Sequence, residues 1–426
     1  MRTSSPPIQV LASLALIVST AGAYGCVPDV HDASSASFQV RDSAGVEIVE
    51  STRPQLTEED PWLVGPDPEL QIGDLQIGEL EGREAHQFTQ VFDAARAPDG
   101  RIAVSEGQTF EIRVFSREGA HLGTFGGAGD GPAEFGAPTF LAVAPPDTLL
   151  VWDPVHFRLS RFALDGSLLE QETLASRMEA LGIMRFRGGL VWQLRPGGTL
   201  LSTGPAGRPA RGEGLREREN RFVLIGAGGE HVHDFGPHAA SQSFWIQTER
   251  GGRGVSNPYA SAVMAALGPE PHPVAIGGTG PWQVTLLRRD GVVGRIVRAA
   301  IPRAEVTSEL LDEERAGLGE LVDGLGITLS QAEDAFARLP LPDSIPAVGA
   351  MGWDSEGRLW VGRRVGRWGE AGDYDVLGAD GRWLTTVSMP PGIERIHEWG
   401  DDYILASATD ELDVPYLRVY RIRRPM

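Results

Sequence analysis

The chain contains no lysine; all 38 of its basic residues are arginine. Lysine nucleophiles and Schiff-base chemistry are therefore excluded, as is the lysine that a Gly-rich phosphate loop needs. Cysteine occurs once, at Cys26, so the chain has no internal disulfide, and a catalytic thiol is not expected so close to the N-terminus. Asparagine occurs only at Asn220 and Asn257. Positive charge is in deficit: 58 acidic residues give a net charge of −20 and a pI near 4.9. Nucleic acid is thereby excluded as a partner, since phosphate binding needs a basic footprint, and anionic membrane surfaces are disfavoured for the same reason. Long uninterrupted helical stretches are few, whereas glycine (54) and proline (30) are abundant, which points to many turns.

The N-terminus carries an address. Arg2 precedes "IQVLASLALIVSTAGA", an apolar run too short to span a bilayer, so residues 1–25 read as an export signal. Two cleavage sites compete: "AGA" at 21–23, and "AYGC" ending at Cys26, which resembles a bacterial lipobox. The lipoprotein form is favoured, with Cys26 lipidated and a lipid anchor as the sole membrane contact. The expected location is the bacterial cell envelope, in the periplasm or at the outer surface. Residues 26–60 read as a tether and N-terminal extension.

The densest glycine stretch, "HLGTFGGAGDGPAEF" (His121–Phe135), is not a phosphate loop. Counted from Gly127 and Gly129, the third glycine of a dinucleotide fingerprint falls on Pro132, and no helical pattern follows.

Internal repetition decides the fold class. One unit is strand, tight turn, strand: "AARAPDGRIAVSE" (94–106), "LAVAPPDTLLVWD" (141–153), "GWDSEGRLWVGR" (352–363), "HEWGDDYILAS" (397–407), and a weaker copy "MRFRGGLVWQL" (184–194). The other is a Gly-turn hairpin, as in "EIRVFSREGAHLGTFG" (from 111) and "RLSRFALDGSLLEQE" (from 158). Two such hairpins make a four-stranded blade. Five blades are expected at about 88–127, 135–174, 179–237, 259–299 and 345–390. A sixth starts at Ile393 and ends one strand short, and an N-terminal strand near 69–75, "ELQIGDL", is assigned to complete it, because an open strand edge is a liability. The expected fold is all-β, a six-bladed β-propeller spanning 61–426, closed by that strand and carrying a helical insertion at 303–344 between blades four and five. In that insertion Leu311, Leu318, Val322 and Leu325 share a helical face, and "SQAE" (330–333) reads as a capping box.

Blade two, with Phe135, Pro138, "AVAP", "LLVWD" and "RLSRFALDG", resembles an NHL-type repeat, and "GGAGDGPAEF" is similar to the Gly-Pro-Glu-Phe connector of six-bladed propellers from bacterial exported and lipoprotein sets. The resemblance covers most of the chain from about 69 onward. It implies a fold and no particular activity.

The turns between first and second strands, and between third and fourth, are tight. Insertions fall in the other connections: 195–220, 237–258, 302–344 and 364–373. One face of the expected disc is plain and the other is built up, and loops on a rigid scaffold are where binding usually sits. The expectation is an exported module binding a small molecule, saccharide or protein on the built-up face, with Gln90, Asp153, Arg195, Arg363 and Arg395 as ligand-binding residues. The alternative is a metal-dependent lyase or hydrolase at the channel mouth. No cofactor is expected under the first reading, and a channel-bound calcium or zinc under the second. No local metal motif stands out: His231 and His233 alternate on one strand without an evident third ligand. A gluconolactonase-type metal site, which uses Asn as a ligand, is disfavoured because both asparagines lie in inserted loops. The arginines at 208, 211, 216 and 218, interspersed with glutamates, read as a solvated loop.

Overall fold

In the computed structural model the described residues are 37–56, 61–73, 84–180, 190–203, 212–248, 251–366, 371–410, 412 and 414–424. The expected export signal and Cys26 lie outside them. The chain is mostly β and folds into six small sheets.

Sheet I contains Val91–Arg96, Ile102–Glu106, Glu111–Phe115 and His121–Gly126; sheet II contains Phe140–Ala144, Thr148–Asp153, Arg158–Ala163 and Leu168–Thr173. Sheet III has five strands, Leu190–Arg195, Gly198–Thr203, Gly214–Gly226, His231–Thr248 and Gly251–Ser256. Sheet IV is built on Met264–Leu267, Val274–Gly277, Gln283–Leu287 and Val293–Ala299, and sheet V on Val348–Trp353, Leu359–Arg364, Ala371–Leu377 and Trp383–Val387. Sheet VI has Ile393–Trp399, Tyr403–Thr409 and Pro415–Arg423. Within each sheet successive strands are antiparallel neighbours, as alternating apolar residues and short Gly turns dictate.

Aspartates close many of the tight turns. The carboxylates of Asp99, Asp165, Asp290 and Asp380 each accept the N–H two residues ahead, which fixes the turn before the next strand begins. Apolar side chains fill the spaces between successive sheets. Phe135, Val151 and Phe162 pack against Ile112 and Val114 between sheets I and II, and Trp360, Trp399 and Tyr420 pack between V and VI. The first strands neighbour one another in the order I, II, III, IV, V, VI, and the first strand of VI again neighbours that of I.

The N-terminal part of the chain completes two sheets. Leu70–Ile72, within the segment expected as a closing strand, pairs antiparallel with Leu417–Val419 of sheet VI, and Leu63–Val64 pairs with Ile422 and Arg423. Inside the expected tether, Phe38–Ser43 and Val46–Ser51 form a hairpin whose second strand runs parallel to the outer strand of sheet IV, pairing Val49 with Val297. Both residues are fully buried. The sequence held a signal for this hairpin in the alternation of "VEIVES" after Ala44 and Gly45.

Sheet III departs from expectation. The turn after its first strand is at Pro196–Gly197 rather than at Gly188–Gly189, and residues 181–189 lie outside the described residues. The expected loop at 237–258 is a continuation of strand: Gly214–Arg218 and Ser241–Trp245 remain paired beyond the sheet, with Gly251–Ser256 added alongside. Arg216 and Arg218 are thus strand residues, stacked over Trp245 at 4.1 and 5.7 Å, whereas Arg208 and Arg211 lie outside the described residues. A polar alternation was read as solvated loop when it marks a two-sided ribbon. Its apolar side, Phe244, Ile246 and Val255, is covered by the helical insertion.

Besides a short helix α1 (Ala175–Ala180), the helices are α2 (Ser308–Leu325) and α3 (Leu329–Ala337). Thr307 caps α2. The capping box of α3 is Thr328 with Gln331, two residues ahead of the one expected at Ser330 and Glu333, because the chain turns immediately after Ile327 is buried.

Gly73 ends the strand that completes sheet VI. Its φ is +129°, and a Cβ there would lie 2.8 Å from the Tyr416 ring and 3.1 Å from the Pro415 carbonyl. Gly73→Ala is expected to cost about 2–3 kcal/mol in denaturant unfolding, since strain and overlap combine. Gly45→Ala, at φ +84° in open space, is expected to cost about 1 kcal/mol. Equal losses would show that the packing against Tyr416 contributes nothing.

Candidate functional site

The sheets present two unlike ends. At one end lie the tight turns after first and third strands; at the other lie the sheet-to-sheet connectors, the sheet III ribbon and the helical insertion. The larger of two notable cavities, about 860 Å³, opens at the tight-turn end, where Arg96, Pro98, Ser355, Glu398, Asp402 and Tyr403 line it. A second, about 290 Å³, shares Ser355 and is lined by Arg195 and Asp354. The expected face was the built-up one, so the concave space lies at the opposite end from the insertions.

Glu398 organises the larger cavity. It lies near the end of the first strand of sheet VI, where Tyr403 Oη donates to its Oε1 and the Arg96 N–H donates to its Oε2 at 2.8 Å. Burial pushes its carboxyl above the usual range, against those two hydrogen bonds and the charges of Arg195 and Arg96. The Tyr403 phenol is pushed up by burial and by Glu398 beside it. The Arg96 guanidinium lies 4.4 Å from the Tyr403 ring centroid. Arg195 closes the first strand of sheet III and donates through Nη2 to the Trp353 carbonyl at 2.5 Å. Burial lowers its proton affinity, opposed by Glu398 and Asp354, and as a guanidinium it stays cationic.

One residue before Glu398, His397 is wholly enclosed. Its Nδ1–H donates to Asp93 Oδ1 at 2.8 Å, and Asp93 Oδ2 accepts the Leu141 N–H at 2.9 Å, so the pair ties sheet VI to sheets I and II. The strand register shifts between Ile396 and Glu398, which makes His397 a bulge residue and allows two consecutive polar side chains to be buried. His397 Nε2 is buried without a hydrogen-bond partner among the described residues.

The residues expected to bind ligand are scattered. Gln90 is exposed just ahead of the first strand of sheet I, at the built-up end. Arg395 is exposed at the same end, donating to the Phe92 carbonyl at 2.8 Å and lying 5.7 Å from the Phe140 ring centroid. Asp153 is 1% exposed and accepts the N–H groups of Gly136, Ala137, Val155 and His156. Glu106 does the same in sheet I for Thr89, Gln90, Gln108 and Thr109. Each acid ends a second strand and pins the incoming connector to the outgoing loop, and in both loops a phenylalanine four residues on, Phe110 or Phe157, takes positive φ. The Gly-rich stretch of 127–135 is therefore a connector held by Asp153, with Arg158 donating to the carbonyls of Gly131 and Glu134. Arg363 grips buried Asp375 through Nε and Nη2 at 2.9 and 2.6 Å, and Trp282 Nε1 donates to the same carboxylate. Of the five, Arg195 alone lines either of these two cavities, the smaller one, at the end opposite the other four.

Sequence reasoning missed Glu398, Tyr403 and Arg96. A signal was present: consecutive His and Glu just ahead of the tight turn, between Ile396 and Trp399, in the copy "HEWGDDYILAS". Among the described residues no three His, Cys, Asp or Glu side chains converge as a metal set. Among the same residues no helix is long and apolar enough to cross a membrane.

No protein-family profile and no curated protein matches the chain, so the NHL-type likeness rests on its residues alone. Solved structures of similar shape include a Bacteroides fragilis protein described as exported, 11% identical, with 89% of this chain covering 100% of that one at a TM-score of 0.44. A gluconolactonase of Xanthomonas campestris is 14% identical, with 79% and 87% covered and a TM-score of 0.34. Streptogramin B lyase is 10% identical, with 85% and 98% covered and a TM-score of 0.34. Likeness at this level carries no activity across.

His397 gives the seam a pH dependence. Burial holds its imidazole below the usual histidine range, ahead of the opposing pull of Asp93. The unfolded chain therefore binds the proton first as pH falls, and this contribution to stability, complete above about pH 6.5, is lost below it. Between about pH 7.5 and 5.5 the wild-type denaturation midpoint should fall further than that of His397→Asn, which keeps a donor to Asp93 and does not titrate. Parallel curves would contradict the assignment.

Proposed function

We propose that the chain is an exported, closed six-bladed β-propeller that binds a small polar ligand at the tight-turn end of its central channel. The cyclic order of first strands and the pairing of Leu70–Ile72 with Leu417–Val419 support the closed ring. The apolar N-terminal run and Cys26 support export with a lipid anchor. The observation that carries the binding reading is the cavity of about 860 Å³, within the usual range for small-ligand sites, with a buried acid, a phenol and a guanidinium on its wall. Polar groups buried beside open space favour a ligand that hydrogen-bonds over an apolar one.

Filling the cavity mouth tests this. Ser355 is an exposed turn residue lining both cavities, so Ser355→Trp is expected to fold normally and to lose the small molecules that native mass spectrometry finds on wild-type protein purified from its own envelope fraction. Unchanged ligand occupancy in Ser355→Trp would overturn the location. A stoichiometric calcium or zinc by elemental analysis, with loss of occupancy on chelation, would replace the binding reading by the metal-dependent lyase or hydrolase.

A further inference from the structure

The ribbon that extends sheet III sorts its charges by face. Residues directly opposite one another on paired strands share a face. The register sets Gly214 opposite Trp245, Arg216 opposite Ser243, Arg218 opposite Ser241 and Trp245 opposite Gly254, so both arginines lie on the side of Trp245. The intervening Glu217 accepts from Gln242 on the other side, which it shares with Phe244, Ile246 and Val255 beneath the helical insertion. The Arg-Glu-Arg run therefore does not neutralise itself: one face of the ribbon is cationic on a chain of net charge −20.

The same face is held in a definite arrangement. Trp245 Nε1 donates to Ser243 Oγ at 3.0 Å, and the indole lies against Gly252 and Gly254 of the neighbouring strand, where a Cβ would come within 2.7 and 3.0 Å of it. The Arg216 guanidinium stacks 4.1 Å from the indole centroid and donates through Nη2 to the Gly212 carbonyl at 2.8 Å, and Arg218 approaches the same ring at 5.7 Å. A guanidinium stacked on an aromatic face is pre-organised and still presents its in-plane N–H donors. Arg221, at the foot of the ribbon, is paired with Asp234 at 2.6 Å. Among the described residues no carboxylate lies within ion-pair distance of Arg216 or Arg218.

We propose that this face docks an extended acidic segment of a partner protein, with carboxylates at alternate positions. Residues two apart on a strand lie about 7 Å apart, so Arg216 and Arg218 repeat at the spacing of an extended peptide with Glu or Asp at every second position. Each guanidinium can take one carboxylate through two N–H groups, and Trp245 supplies a rigid aromatic contact beside them. An acidic partner is repelled by the rest of this chain, so only a segment whose carboxylates match the two arginines gains more than it loses, and spacing becomes the source of selectivity. The surface is at the built-up end, opposite the larger cavity, and does not depend on the small-ligand site.

The test uses the intact mature protein and two labelled ten-residue peptides of one composition, Glu alternating with Thr and a Glu block followed by a Thr block. Binding is read by fluorescence anisotropy at constant ionic strength. The alternating peptide is expected to bind about fivefold or more tightly than the block peptide. Arg216→Gln combined with Arg218→Gln should bring the two peptides to equal affinity, while Arg288→Gln, which removes an exposed arginine of sheet IV, should keep the preference. If the double variant loses its unfolding transition, Arg218→Glu at an exposed position replaces it and should weaken the alternating peptide about tenfold or more. Equal affinity of the two peptides for the wild-type protein, or a preference that survives both the double variant and Arg218→Glu, would overturn the proposal. So would binding of polygalacturonate or of phosphatidylglycerol vesicles that the double variant abolishes while neither peptide binds, since the face would then serve a polysaccharide or a membrane.

Discussion

The structure depends on the pairing of Leu70–Ile72 with Leu417–Val419. The last sheet lacks an outer strand of its own, and the third strand of sheet VI would be left with an open edge if Leu70–Ile72 did not pair with it. An open edge of alternating apolar residues is an aggregation hazard, and supplying the missing strand from the N-terminus removes it while linking positions some 350 residues apart in sequence. The same seam is fastened by Asp93 and His397, which join sheets I and VI. The cavity sits beside this seam, framed by the turns at 97–101 and 400–402, so its shape depends on the closure being intact.

Two kinds of acidic residue divide the work. Glu106, Asp153 and Asp375 are buried and saturated by hydrogen bonds; they hold connectors and neighbouring sheets in place. Glu398 is buried with its charge opposed by desolvation and faces open space. Against the desolvation of its burial, backbone N–H groups hold the Glu106 carboxyl below the usual range, whereas the Glu398 carboxyl, pushed up by burial, lines the cavity. Arginine divides in the same way: Arg363 is spent on Asp375, while among the described residues Arg195 meets one acceptor, the Trp353 carbonyl.

The parts of this architecture that were legible in the sequence are local. Sheets I, II and V announce themselves because turn chemistry and strand alternation both repeat within about 35 residues, and the aspartates of the tight turns at Asp99, Asp165, Asp290 and Asp380 are all visible as Asp-Gly. Sheet III was obscured because its third and fourth strands continue outward as a ribbon whose polar side, "REREN", reads like loop; only the apolar side, packed on α3, reveals the strand. Asp153 and Arg363 were chosen for charge near strand ends, a criterion that cannot distinguish a pinned acid from a free one. Glu398, Arg96 and Arg195 come from three sheets, and nothing in their neighbourhoods states that the fold will bring them to one end. The built-up face drew attention through loop length, yet concavity at the other end arises from short turns that leave space between them.

The central claim is that closure at the N-terminal strand is part of one cooperative fold. Native-state hydrogen exchange of the backbone amides of Leu417 and Val419, compared with Val151 in sheet II, tests it most directly. The account predicts that all three exchange only through global unfolding, with the same free energy and the same dependence on denaturant. Exchange of Leu417 and Val419 through a separate, lower-energy opening while Val151 stays protected would show that the strand is an appendage and that the rest of the fold does not depend on it.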